Sequence, residues 1–420
     1  MLQLPASGPR RELALCLLLM LVAAVFRLPR LGRPAEEVFD EVYHAKTAQQ
    51  YLDGVPPTEW VHPPTAKLLI AVPVYFFGYK PWAWRLAPAC AGILLAPVFF
   101  LLARLVLASE RAALLAALLL LCDGVYLVQS RIAMTNIFAV LFQVTAAYFL
   151  LRASLGERLR SVPMLLTGLM LGLALSTRWT SLWAWAFLAL TLLVVRRLRL
   201  LQPREMLLAF LAFVAIPISL YVLSYVPWML QGPDNQSLRA LPQHTRDIWN
   251  YHAGLVAEHP YFSKWYTWPW LVRPTWYHYK QVGDFVIGIV ALGNPALWWV
   301  SLPLAFWAYH TGLWLHDPRR IFVGAGYFCL YLPWGLSPRT LNYSHYLFEA
   351  IPYTCLALGL LLDREWDGKY GLAARVYVGV VIALFLYFLP LLIGYPFPAS
   401  WFFQNLGFGV RPWSWFRTWI

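Results

Sequence analysis

The chain has 420 residues, 60% of them hydrophobic and only 13% charged, with a mean hydropathy of +0.57. Soluble domains carry about 25% charged residues, so this composition excludes a soluble globular enzyme and points to an all-α polytopic membrane protein. The formal net charge of +13 is not gathered into a basic block interleaved with aromatics. That argues against a nucleic-acid partner and for membrane topology with contact to anionic lipid or phosphate.

Arg10 and Arg11 precede the apolar run Leu13–Phe26. Arg27, Pro29 and Arg30 follow it without a small-residue cleavage site, so it reads as a retained first span and not as a signal peptide. Crossing the hydrocarbon core takes about 20 apolar residues. Eleven spans are predicted near 12–29, 82–107, 112–128, 133–152, 162–178, 180–197, 206–229, 288–310, 320–336, 343–362 and 373–395. Lys67–Gly78 is apolar, short and interrupted by Pro73, and is predicted as an interfacial or re-entrant helix.

Short loops with Arg152, Arg158 and Arg160, with Arg196, Arg197, Arg199 and Arg204, with Arg319 and Arg320, and with Arg364, Lys369 and Arg375 alternate with the rest. The excess of cations assigns these loops and the N-terminus to the cytoplasm. One membrane domain, 1–420, then has three extracytoplasmic parts: a first loop over 30–81, an aromatic-rich loop over 230–284 and an aromatic tail over 396–420. The five cysteines (Cys16, Cys90, Cys122, Cys329, Cys355) lie in apolar segments without paired spacing and read as core thiols.

The polar stretch Phe39–Lys67 holds the adjacent carboxylates Asp40 and Glu41. Neighbours on a helix point about 100° apart, so one of the two can face a reaction centre while the other faces structure or a second substrate. A carboxylate shielded at the membrane surface is a candidate general base; the plain alternative is a solvated pair opening an amphipathic helix, Glu41–Leu52. Four arginines stand at outer ends of spans: Arg85, Arg131, Arg178 and Arg339. Each alone reads more simply as a snorkelling side chain, but four beside a carboxylate pair suggest a pocket that reads a phosphate. His244, His252 and His259 lack metal-ligand spacing, no phosphate-binding glycine loop is present, and no metal ligand is assigned.

Phe39-Asp40-Glu41-Val42-Tyr43 followed by His62-Pro63-Pro64-x-x-Lys67 resembles the first outer loop of protein O-mannosyltransferases. Ser130-Arg131, the run from Tyr251 to Tyr277, Gly293-Asn294-Pro295 and the segment from Arg339 to Pro352 continue the resemblance in order along the chain. The resemblance implies a GT-C fold, in a compact prokaryotic form, with its active site at the extracytoplasmic surface of a cell-membrane protein. It implies an inverting transfer of mannose from a polyprenyl-phosphate-mannose donor to Ser or Thr hydroxyls of a secreted protein, with membrane lipids and the secretion translocon as surroundings. Mapped here, Asp40 is the base and Glu41 positions the acceptor or supports the site. Arg85, Arg131, Arg178 and Arg339 meet the donor phosphate, with Arg85 and Arg339 foremost. His62 and Lys67 shape the pocket, touch the phosphate or merely anchor an interfacial helix, and Asn342, His345 and Tyr346 line the pocket. The sequence leaves a divalent-ion requirement open. Two departures stand out: Thr135-Asn136 where the family pattern commonly carries an acid, and Arg178 where it commonly carries lysine. Two rival readings are a GT-C enzyme with a lipid or glycan acceptor and a non-enzymatic polyprenyl-phosphate carrier.

Overall fold

A computed structural model describes residues 8–196, 202–231, 237–404 and 411–419. Arg197 and Arg199 of the loop assigned to the cytoplasm lie outside the described residues. The fold is a helical bundle whose central members are Pro81–Leu107 and Asn136–Ala153, both largely buried among their neighbours. Pro203–Leu230 and Gly371–Ile393 are as apolar but present most of their surface outward, as lipid-facing helices do. These four are the helices among the described residues that are long and apolar enough to cross a membrane. The remaining apolar helices, including Ser161–Leu175 and Ser181–Val195, are shorter.

Local chemistry explains several boundaries. Ser109 caps the helix Glu110–Leu121 by accepting from the Ala112 N–H. The predicted span 112–128 is broken in two by Asp123, which caps Gly124–Gln129 through the Tyr126 N–H at 2.9 Å. The other Asp123 oxygen accepts from the Trp298 indole at 2.7 Å and the Asn294 N–H at 3.2 Å. This carboxylate, fully buried, therefore fixes a turn 171 residues away.

The all-α expectation needs one correction. Thr275–Val282 (β1) and Phe285–Ala291 (β2) form an antiparallel hairpin, and Phe397–Pro398 (β3) adds to the β2 edge. The turn places Gly283 at φ +56°, where a side chain would be strained. The predicted span 288–310 consequently begins as a strand, with helix from Pro295 and a long helix only over Ser301–Trp314. The misreading has a physical cause. The inner half of β2 is buried against the Gly371–Ile393 helix, so its Val-Ile-Gly-Ile-Val-Ala run shows no alternation and passes for membrane-spanning sequence. The described part of the tail folds back on the hairpin: the Trp419 indole donates to the Leu271 carbonyl at 2.6 Å, and its own carbonyl accepts from Trp276 at 2.5 Å.

Candidate active site

Asp40 stands at the N-terminal boundary of the helix Glu41–Asp53, which ends at Gly54 in the left-handed conformation. An aspartate here ordinarily caps its helix, yet the Asp40 side chain makes no cap bond and has no hydrogen-bond partner among the described residues. Its carboxylate is half-buried and left free. The backbone before it is strained: Phe39 has φ +51°, a conformation that costs a non-glycine residue about 1–3 kcal/mol. Packing holds it there. The Phe39 ring stacks on Tyr277 with centroids 4.2 Å apart and planes 7° apart, and Tyr343, His345 and His259 meet it edge-on.

Desolvation pushes the Asp40 carboxyl up to about 6, and the charge of Glu59 adds to that, while Arg178 and Arg339 pull against it. A carboxyl titrating near 6 is matched to general-base work close to neutral pH.

The two arginines that act on Asp40 are held in different ways. Arg178 donates one nitrogen to Thr135 Oγ1 at 3.1 Å and Asn136 Oδ1 at 3.0 Å, and its guanidinium lies 5.3 Å over the Tyr346 ring. Among the described residues its buried Nε has no partner, and none of its hydrogen bonds goes to a carboxylate. Arg339 donates Nε to the Leu341 carbonyl at 2.7 Å and Nη1 to His252 Nδ1 at 3.2 Å. That bond fixes the tautomer. His252 Nε2 faces the Val61 carbonyl at 2.8 Å and must carry the proton, leaving Nδ1 as acceptor. Burial first, with His62 helping, drops the His252 pKa to about 3, so the ring is neutral at physiological pH.

A free carboxylate of raised pKa, the two arginines that act on it and the rings packed around Phe39 thus meet at one end of the bundle. A family profile described as dolichyl-phosphate-mannose-protein mannosyltransferase matches residues 17–84 and 80–229. A second, the C-terminal four TMM region of protein-O-mannosyltransferase, matches residues 238–419. The chain belongs to the protein O-mannosyltransferase family. It is 29% identical to the polyprenol-phosphate-mannose–protein mannosyltransferase of Mycolicibacterium smegmatis (strain MKD8), over 91% of this chain and 90% of the relative. Identity to the protein of the same name from Mycobacterium tuberculosis (strain H37Rv) is 28%, over 90% and 88%. The fold is similar to the Saccharomyces cerevisiae protein O-mannosyltransferase Pmt1-Pmt2 complex bound to the sugar donor, with TM-score 0.79 at 14% identity, over 94% of this chain and 92% of that one. ArnT from Cupriavidus metallidurans bound to undecaprenyl phosphate gives TM-score 0.60 at 17% identity, over 92% and 76%. At such identities the likeness is one of fold, the GT-C fold.

Within this mannosyltransferase-family site, one of the four arginines has its donors spent elsewhere than predicted. Arg85 grips Glu41 with two bonds, Nε to Oε1 at 2.8 Å and Nη2 to Oε2 at 2.6 Å. Its other protons go to the carbonyls of Leu31, Pro34 and Glu36. Glu41 also accepts the N–H groups of Val38 and Ala133, each at 3.0 Å, and is fully buried. A pair so completely satisfied has no donors left for a phosphate, so Arg85 is a frame residue. Arg131 commits one nitrogen, Nη1, to the carbonyls of Phe26 and Arg27, at 3.0 and 2.7 Å, where the first helix ends.

His62 and Lys67 converge on a residue the sequence reading passed over, Glu59. Lys67 directs its ammonium to the Glu59 carboxylate, to the Glu59 carbonyl at 2.9 Å and to the His62 carbonyl at 2.8 Å, exhausting its three protons. His62 gives both its N–H and Nδ1 to Glu59 Oε1, at 3.0 and 2.7 Å. Burial works to raise the Glu59 pKa, but Lys67 and His62 together outweigh it and hold the group well below the carboxylate range. Asn342 donates to the Arg339 carbonyl at 2.8 Å and leaves a buried, unpaired Oδ1. His345 contacts Thr275 Oγ1 at 3.2 Å, and Tyr346 stacks on Trp334 at 4.7 Å. Of the residues given no role from sequence, Glu59 had one signal, a lone acid between Trp60 and a Pro-rich turn; His252 and Tyr277 stand in the run from Tyr251 to Tyr277 that carries the family resemblance.

The Glu59 charge is a contributor to the Asp40 pKa, so its removal has a defined sign. Glu59→Gln lowers the Asp40 pKa, because a repelling negative charge leaves and the Lys67 cation stays. The acidic limb of the pH–rate profile moves to lower pH; a limb that stays in place separates the two groups.

Proposed function

We propose that this chain is an inverting mannosyltransferase that moves mannose from a polyprenyl-phosphate-mannose donor to Ser or Thr hydroxyls of a secreted or membrane protein. The observation that carries the reading is the free Asp40 carboxylate, held by strained backbone under the influence of two arginines that form no ion pair among the described residues. Asp40 takes the hydroxyl proton as the oxygen attacks the anomeric carbon from the face opposite the phosphate, giving inversion in one displacement. The leaving group gains charge as the glycosidic bond breaks. Arg178 and Arg339 meet that charge, which is a transition-state contribution and not mere binding. Thr135 and Asn136, in place of an acid, hold Arg178 without neutralising it.

Glu41, Arg85 and Arg131 frame the site, Lys67 and His62 fix Glu59, and His252 positions Arg339. Asn342, His345 and Tyr346 line the sugar side, where the unpaired Asn342 Oδ1 suits a hexose hydroxyl. The reading places this end of a membrane domain of eleven crossings on the extracytoplasmic side, with a cytoplasmic N-terminus, where a translocon delivers unfolded acceptor. No metal is assigned a role.

Transfer of labelled mannose from polyprenyl-phosphate mannose to a Ser/Thr-rich peptide tests the reading. Wild type is expected to label the peptide, and Arg178→Gln to lower kcat about 10²-fold, in the range for loss of one preorganised charge donor. Label recovered on lipid or glycan and never on peptide overturns the acceptor assignment. No transfer of any kind makes the chain a carrier.

A further inference from the structure

A second cavity, of about 330 Å³, opens at the same end of the bundle. Arg30, Arg33, Glu36, His278, Lys280 and Gly394 line it. It lies beside the site and not in it: it shares the Pro34–Glu36 segment that Arg85 clamps, but Asp40, Arg178 and Arg339 do not line it.

Three features of this cavity point to one ligand. Its charge is unbalanced: Glu36 approaches Lys280 at 3.6 Å and His278 at 3.8 Å, leaving two arginines uncompensated. Burial first, with Lys280 and Arg85 helping, lowers the His278 pKa against the pull of Glu36, so His278 adds no cation at neutral pH. The guanidinium of Arg30 lies 5.0 Å over the Tyr395 ring, and that of Arg33 has no hydrogen-bond or ion-pair partner among the described residues. It lies where helices end. Arg30 follows directly on the helix Pro9–Arg27, and Gly394 caps Gly371–Ile393 in the left-handed conformation, so two bundle helices end at its wall. Its surroundings are apolar and exposed: Leu28, Val282, Phe285 and Tyr395 adjoin it with 44 to 50% of their surface open. Cations just beyond helix ends, beside exposed apolar side chains, form the pattern that meets a phospholipid phosphate while acyl chains run down the bundle.

We infer that this cavity binds the phosphate of an anionic membrane phospholipid, at a site separate from the one that holds the sugar donor. The inference does not rest on the transfer reaction. It is tested by native mass spectrometry of the full chain in detergent, loaded with phosphatidylglycerol or phosphatidylcholine. Wild type is expected to retain phosphatidylglycerol selectively. Removing one cation weakens retention about fivefold, and the triple variant Arg30→Gln/Arg33→Gln/Lys280→Gln weakens it on the order of a hundredfold. Arg30→Lys/Arg33→Lys keeps the charge and most of the retention.

Equal retention of the two lipids by wild type overturns the proposal without recourse to any variant. Phosphatidylglycerol retention unchanged in the triple variant overturns it as well. Should the triple variant not fold, the exposed Lys280→Gln alone still decides, through its fivefold effect. Displacement of phosphatidylglycerol by millimolar inorganic phosphate assigns the cavity to a free anion. Displacement by polyprenyl phosphate, lost in the same variants, assigns it to the donor's carrier. Either displacement overturns the phospholipid assignment.

Discussion

Asp40→Asn is expected to lower kcat for mannosyl transfer about 10³-fold while the donor KM changes little. Asn keeps the size and one oxygen of the side chain but cannot take a proton, and a positioned general base contributes about 10²–10⁴-fold. The wild-type rate should rise with pH until Asp40 is ionised, with the bend near its value of about 6, and level off above it. In the variant that limb disappears. Stability separates this loss from unfolding. The Asp40 pKa is raised in the fold above the unfolded value of about 3.9. The protonated form is therefore the one the fold favours. That contribution is fully present below about pH 4 and is lost as pH rises through 6. Asn, permanently neutral, escapes the loss, so the variant should be at least as stable as wild type at pH 7. A variant with wild-type rate removes Asp40 from the chemistry; one with a depressed melting temperature makes its role structural.

Breaking the Glu41–Arg85 pair should have the opposite signature, with stability lost first. Removing one member of a fully buried, bidentate pair strands the other as an unpaired charge, which typically destabilises by about 3–5 kcal/mol. Glu41→Ala also orphans the Val38 and Ala133 N–H groups, and Arg85→Ala orphans three carbonyls, so neither side has a cheap escape. Thermal unfolding in detergent should show both single variants far below wild type. The double variant Glu41→Leu/Arg85→Met should lie well above the sum of the two, because no charge is left buried alone. Whatever folded Arg85→Ala survives at low temperature should keep a near-normal donor KM. A well-folded Arg85→Ala protein with a strongly raised donor KM would instead return Arg85 to the phosphate.

Much of this protein is written locally. Apolar stretches long enough for the bilayer, the cations in short loops and the Phe39-Asp40-Glu41 and His62-Pro63-Pro64 segments are features of neighbouring residues, and they identify a polytopic membrane chain and its family. Even the division of labour between Asp40 and Glu41 was open to a local argument, since adjacent helical side chains point in different directions. Which of them was free was not. That depended on Arg85, 44 residues onward, and on the Ala133 N–H, 92 residues onward, both of which close on Glu41. The arginines divide for the same reason. Four look alike at the ends of apolar segments, but Arg85 is spent on Glu41 and on backbone carbonyls and Arg131 is tied by one nitrogen to the backbone, while Arg178 bonds to the neutral Thr135 and Asn136 and Arg339 is turned by His252. Charge and hydrogen-bond capacity belong to a residue, whereas the partner that uses them up is set by packing across the bundle. Strand β2 shows the limit in another form: burial on both faces erases the alternation that marks a strand, so only its pairing with β1 and its seat on the Gly371–Ile393 helix distinguish it from a membrane span.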